Sequence, residues 1–322
     1  MWLLSTDRAE LHHFLRNYDA EGGYAILSHT WQEREQTLQD VRAIGDHCRQ
    51  TKSNPRDDRR LSPKIRELCI LAEKHGYGWA WADSCCIDKT SSSELSEAIN
   101  SMYQWYSEAE VCYAYLSDVP SRCDLHAKDS AFRTSRWHTR GWTLQELIAP
   151  ASLIFVSDDW RELGDRASMA ELLQNITGIQ AGVFTREKRP ASFSVAIRLS
   201  WASKRRTTRV EDEAYCLMGL FGVSLPTNYG EGDKAFVRLQ YEIMQHESDT
   251  SLFAFGYRLP FGALETHGIR LLPDPITNGT WQFLLPSSPR EFRDSHDILY
   301  TPKLGTKARQ IYPPRHVCFN VT

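Results

Sequence analysis

The chain has no C-x-x-C pair and no evenly spaced cysteine framework. Its eight cysteines, at 48, 69, 85, 86, 112, 123, 216 and 318, fall mostly inside apolar runs, where a thiol packs as a small hydrophobe. This argues against a disulfide scaffold and a structural zinc site, and predicts a reducing, cytoplasmic setting. Neither G-x-G-x-x-G nor G-x-x-x-x-G-K-[ST] occurs, which disfavours a dehydrogenase fingerprint and a P-loop. No apolar stretch approaches the roughly 20 residues that a membrane-spanning helix needs, and Asp7, Arg8 and Glu10 interrupt the N-terminal stretch too early for a signal peptide. The net charge of −3 and pI near 6.4 mark neither nucleic acid nor an anionic membrane as a partner. The basic runs Arg59-Arg60 and Lys204-Arg205-Arg206 read as solvated faces.

What is present is an ordinary globular composition, 41% hydrophobic and 25% charged over 322 residues, enough for one large or two modest domains. The first 22 residues suggest a short helix with Leu11, Phe14 and Leu15 on one side, ended by Gly22-Gly23. Residues 24–28 read as a first strand opening into His29-Thr30-Trp31, and the charged stretch 32–60 as a disordered or variable insertion. Ser62-Pro63 starts a helix with Ile65, Leu68, Cys69 and Ala72 on one side. Residues 79–83 form a second strand, and Ser91-x-x-Glu94 opens a helix carrying Leu95, Ile99, Met102 and Tyr106. The third strand spans residues 111–116. In the short helix of Arg140-Gly141-Trp142-Thr143-Leu144-Gln145-Glu146-Leu147-Ile148, Leu144, Leu147 and Ile148 share one side, Glu146 points elsewhere, and Pro150 is the stop. Residues 152–156 form a fourth strand.

Strands alternating with helices predict a parallel sheet with helices on both faces, and ligands gathering at the carboxyl ends of the strands. We divide the chain into an α/β core at 1–165, a mainly helical extension at 166–255 and a Pro/Gly-rich tail with short strands, such as 281–285, at 256–322. Helices are expected over 167–176, 194–202, 209–221 and 234–246.

Three blocks in order, Tyr24 to Trp31, Trp81-Ala82-Asp83-Ser84-Cys85-Cys86-Ile87-Asp88-Lys89 and Arg140 to Ile148, resemble the signature blocks of the fungal heterokaryon incompatibility (HET) domain. Residues 199–203, 207–216 and 229–240 resemble the region that follows them. The resemblance implies a cell-death effector of nonself recognition, acting with an upstream recognition protein. The spacing of Trp142 to Glu146-Leu147, after a first strand ending in Ser28, is also similar to Toll/interleukin-1 receptor (TIR) domains. That similarity implies a TIR-like, flavodoxin-type core. It also implies self-association and cleavage of NAD at the nicotinamide N-glycosidic bond, with NAD as substrate and no further cofactor. The long stretch 32–60 and the helical extension depart from the TIR pattern.

Such cleavage passes through an oxocarbenium-like state, so it needs negative charge beside the ribose. Glu146 is the expected catalytic group. Its alternative is an exposed helix glutamate pairing Arg140. Expected substrate contacts are Ser28, His29 and Trp31 after the first strand, Asp83, Asp88 and Lys89 after the second, and Trp137, Arg140 and Trp142 around the crevice. Arg140, with Arg136 competing, suits a pyrophosphate, and the indoles suit nicotinamide or adenine. Asp83 and Asp88 equally suit turn capping, and Trp31 a lid over the core. Two other classes remain: a non-enzymatic module signalling by homotypic assembly, and a cysteine hydrolase built on Cys85-Cys86 with His29 or His138 as base.

Overall fold

The strand Ala25–His29 (β3) is buried along its whole length, which fits only a position with a strand on either side and a layer on each face. The computed structural model, which describes residues 1–15, 19–255 and 285–300, places it at the centre of a seven-stranded sheet. Its parallel neighbours are β4 (Trp79–Trp81) and β5 (Val111–Tyr115), and β6 (Leu153–Val156) continues beside β5, also parallel. Numbered by chain order, these four strands run 2-1-3-4, the doubly wound flavodoxin-like order.

The sheet is mixed and not, as the alternation alone predicts, wholly parallel. Beside β4 lie β1 (Trp2–Ser5) and β2 (Leu11–His13), antiparallel, and β7 (Glu162–Asp165) closes the other side against β6, also antiparallel. The N-terminal stretch is thus a hairpin and not a helix. Leu3 and Leu4 are both fully buried and Leu4 pairs with Ala80, while Leu15, counted on the apolar side of the expected helix, is 87% exposed. Pairing with β4 outweighs the local helical spacing.

Residues 32–60 are ordered as well. Helix α1 (Leu38–Thr51) starts at a capping box in which Thr37 and Asp40 each take the other's backbone N–H, and it buries Leu38, Val41, Ile44 and Cys48. A single helical turn at Pro55–Asp57 follows, tied down by Arg66, which donates to the carbonyls of Arg56, Asp58 and Leu61.

Helices α2 (Pro63–Lys74) and α3 (Ser92–Glu108) fall where expected, although Ser62 makes no capping bond with its side chain. Adjacent residues of β3 show that both sheet faces are covered. His29 meets Lys64 of α2, whereas Ser28, pointing the other way, meets Glu146 of a later helix. After the short α4 (Ala131–Thr134) and a turn at Arg136–Thr139 comes α5 (Thr143–Ile148), whose six residues are all buried.

Beyond β7 the chain is mainly helical: α6 (Ala170–Thr177), α7 (Ala181–Phe184), α8 (Val195–Ser200), α9 (Asp212–Tyr215), α10 (Met218–Phe221) and α11 (Lys234–His246). The single helix expected over 209–221 is broken around Cys216-Leu217 into α9 and α10. These helices share the sheet's hydrophobic core. Gly219 of α10 lies so close to Tyr103 of α3 that a Cβ there would sit 2.0 Å from the tyrosine's own, and Asn100 exchanges two amide bonds with the backbone of Leu225. Of the tail, residues 285–300 form a turn at Pro289–Phe292 with Phe292 buried, and most of the strand expected at 281–285 lies outside the described residues. No helix among the described residues is long and apolar enough to cross a membrane.

Candidate functional site

From β3 the chain runs first to β4 on one side and then back to β5 on the other. The carboxyl end of β3 is therefore a topological switch point, where the loops leave a crevice. Two hydrogen-bonded chains of side chains meet there, one on each face of the strand.

On one face, Trp137 donates its indole N–H to Ser28 Oγ at 2.8 Å, and Ser28 in turn donates to Glu146 Oε2. The serine proton is directed to the acid because its oxygen already accepts from the indole. Glu146 is only 7% exposed. Burial pushes its carboxyl up to about 8, with the Asp83 charge adding to the shift, while the Ser28 hydroxyl, Arg140 and Arg205 pull the other way. The acid is thus neither an exposed helix residue nor the partner of Arg140, whose guanidinium instead donates to Thr208 at 2.8 Å. The acid-bearing helix is held at both ends. Thr143 Oγ1 donates to the carbonyl of Trp137, and Arg166 donates to the carbonyls of Leu147, Ile148 and Ala151.

On the other face, Lys64 Nζ lies 2.9 Å from His29 Nδ1 and donates to Glu35 at 2.6 Å. An ammonium only donates, so Nδ1 is the acceptor and the ring proton sits on Nε2, from which it reaches Asp83 at 2.7 Å. Asp83 also accepts from the Trp31 indole at 2.8 Å, and Lys89 Nζ lies 4.0 Å from the centre of that ring. Burial alone would raise the Asp83 carboxyl. His29, Lys89 and the Trp31 N–H together hold it well below its ordinary value. The two acids at the end of β3 are therefore driven in opposite directions, the pattern by which a site separates its acid from its ion.

Between the loops lies an open cleft of about 190 Å³ lined by Thr30, Trp31, Arg136, Thr139, Arg140 and Arg206. Trp31 is 43% exposed at its rim and is no lid over the core. Glu146 is not among the lining residues; Arg140, which is, lies near enough to bias its ionisation.

The structure gathers Ser28, Trp137 and Glu146 into one chain, and His29, Trp31, Asp83 and Lys89 into the other, while Arg140 lines the cleft. Two expected contacts turn elsewhere. Asp88 caps its own turn through Thr90 and takes Gln39, and the Trp142 indole engages Asp212 of α9. Trp137 is fully buried, so it positions Ser28 rather than offering a face to a ligand. Cys85 and Cys86 are also buried, with the Cys86 thiol pushed well above its ordinary value by burial, which removes the nucleophile. His138, lowered to about 3 by burial and by Arg205, serves as a donor to the carbonyl of Phe132.

Reasoning from sequence passed over Lys64, Glu35, Thr30 and Thr139, and gave Arg205 and Arg206 no part in the crevice. Arg206 was hidden in a basic run read as surface. Its backbone pairs with Arg140 in an isolated parallel bridge, Gly141 N donating to Arg206 O at 2.8 Å and Arg206 N to Thr139 O at 2.7 Å.

Residues 234–315 match a domain of unknown function (DUF8212). The chain is 43% identical over 231 residues, 68% of its own length, to the vegetative incompatibility protein HET-E-1 of Podospora anserina, and spans 16% of that relative. No solved structure gives a significant match. Residues 24–130, which hold β3, β4, β5 and the His29–Asp83 chain, match the heterokaryon incompatibility protein (HET) family. On both grounds the chain belongs to the HET-domain proteins.

Proposed function

We propose that this chain is a death effector of heterokaryon incompatibility that hydrolyses NAD, taking NAD and water to ADP-ribose, nicotinamide and a proton. The incompatibility role is supported by the family match and by what the Podospora relative is named for. The hydrolytic reading rests on one observation: a buried carboxylate, Glu146, held by Ser28 at the carboxyl end of the central strand, beside a cleft whose only charged lining groups are arginines.

In this reading the cleft holds the diphosphate while the ribose lies toward Glu146. The nicotinamide ring of NAD carries a positive charge and leaves neutral, so no general acid is needed at the leaving group. Glu146 acts as the ion that stabilises the developing ribosyl cation. Its raised pKa is not an obstacle, because the bound pyridinium favours the ionised carboxylate. Ser28 and Trp137 fix the direction of the acid, and the His29–Asp83 chain fixes Trp31 at the rim. Self-association, with an upstream recognition protein as trigger, brings the ribose within reach of an acid that the isolated cleft does not itself expose.

Release of nicotinamide by purified protein, driven to assemble at high concentration, tests the proposal. Wild type is expected to turn over and Glu146→Ala to be silent. Equal rates in the two, or none in assembled wild type, would refute hydrolysis. The recessed position of Glu146 behind the cleft lining favours one competing reading, a TIR-like assembly module without catalysis. That reading predicts that Glu146→Gln leaves cell death intact while surface substitutions abolish it.

A further inference from the structure

We infer that the cleft at the end of β3 is a binding site for vicinal phosphates, and that Arg206, delivered by the segment after α8, is one of its anion-binding residues. The inference deepens the NAD reading by assigning the diphosphate subsite, and it rests on that reading only for the identity of the rest of the ligand.

Three arginines line the cleft from two separated segments, Arg136 and Arg140 from the loop before α5 and Arg206 from the segment after α8. None has a carboxylate within ion-pair distance among the described residues. The Arg136 side chain donates to Ser117 at 3.3 Å and that of Arg140 to Thr208, both neutral acceptors. Three like charges gathered without a direct ion pair repel one another, and a multiply charged anion with forked oxygens relieves this best. Thr30 and Thr139 add hydroxyls to the lining, and no acid does. A second cleft, of about 440 Å³, is lined by one cation, Lys64, against three acids, Glu67, Asp158 and Asp159, so it suits the same ligand poorly.

The segment that carries Arg206 is placed by construction rather than by chance. Its backbone is bridged to Arg140, and Arg205, 5% exposed, donates to the carbonyl of Arg140 at 2.9 Å and to Thr143 at 3.0 Å. A second Arg205 nitrogen, Nη2, is buried with no acceptor among the described residues. Burial lowers that guanidinium to about 10, so its charge still stands at neutral pH within reach of the Glu146 field. One dipeptide thus braces the acid-bearing loop through Arg205 and presents a cation to the cleft through Arg206.

Calorimetric titration of the full chain with inorganic pyrophosphate and with ADP tests this. Wild type is expected to bind both, and more weakly as salt rises. Arg206→Gln and Arg136→Gln should each weaken binding about ten- to hundredfold, the loss of one charge-assisted contact. Arg206→Lys should recover part of it, and Lys204→Gln, an exposed cation outside the lining, should change nothing. Absence of pyrophosphate binding in wild type, or Arg206→Gln binding as wild type does, overturns the inference. If pyrophosphate binds as expected and no nicotinamide is released, the hydrolytic reading fails and this one stands. If nicotinamide is released with an unchanged KM in Arg206→Gln, the reverse holds.

Discussion

Glu146 is a carboxyl that the fold holds away from water, and this costs stability. Its folded value of about 8 against an ordinary 4.5 means that the native state keeps the proton more tightly than the unfolded chain does. The penalty is absent below about 4.5, grows as pH rises, and is complete above about 8. Glu146→Gln removes the ionisation while keeping the shape, so at pH 8.5 it should raise stability by about 2 kcal/mol and Tm by a few degrees while abolishing nicotinamide release. A scanning calorimetry series against pH reads this directly, and a variant less stable than wild type at every pH would assign the acid a structural role. Ser28→Ala acts in the opposite sense. It strands the Trp137 N–H and one acid oxygen, costing about 1–3 kcal/mol. It also removes the hydrogen bond that lowers the acid, so the acid limb of the pH-rate profile should move to higher pH. Neither bond was legible in the sequence. Spacing placed Glu146 on a short helix, but whether its side chain faced solvent or Ser28, 118 positions away, depends on the sheet.

At the scale of elements, the regular spacings were the readable part. α2, α3, α5, α11 and strands β3, β5 and β6 lie close to where periodicity puts them, because their apolar stripes are continuous, and α2 and α3 also start at a proline and a serine cap. The misses have physical causes. Thr37-x-x-Asp40 caps α1 with an aspartate where the usual pattern has a glutamate, inside a stretch that looked too charged to fold. The hairpin of β1 and β2 follows from pairing with β4, which no local window contains. The junction between Gly141 and Thr207 was equally invisible. A Cβ at Gly141 would sit 2.4 Å from the Thr207 methyl, so Gly141→Ala should strain the bridge that carries Arg206 and destabilise by about 1–3 kcal/mol. Adding Thr207→Ser, which deletes that methyl, should return most of the loss. A double-mutant cycle by urea unfolding checks it, and additive effects would deny the contact.

For the whole molecule, the boundary drawn from sequence at 165/166 cuts through bonds that the acid-bearing helix depends on. Arg166 satisfies the carbonyls at the end of α5, and α10 packs on α3 at Gly219. Residues 1–165 expressed alone are therefore expected to lack a cooperative melt and to expose the α3 face, whereas residues 1–255 should unfold in one transition. Differential scanning fluorimetry and dye binding distinguish the two, and a sharp melt for the shorter piece would show an independent domain. The broad α/β class was legible because strand and helix alternate. The shared core of sheet and extension was not, since it is built from side chains that meet across more than a hundred residues.

The outer flanks of the sheet bear on how copies of this chain can gather. β2 is three residues long with both histidines exposed, and β7 is four residues joined through a bulge, so each rim offers too little flat backbone for another chain to continue the ladder. Growth by templated strand addition, as in amyloid, is thereby blunted. Any array of these chains would have to form through helical shoulders and loops, leaving every subunit folded and its arginine-lined mouth intact as it lengthens.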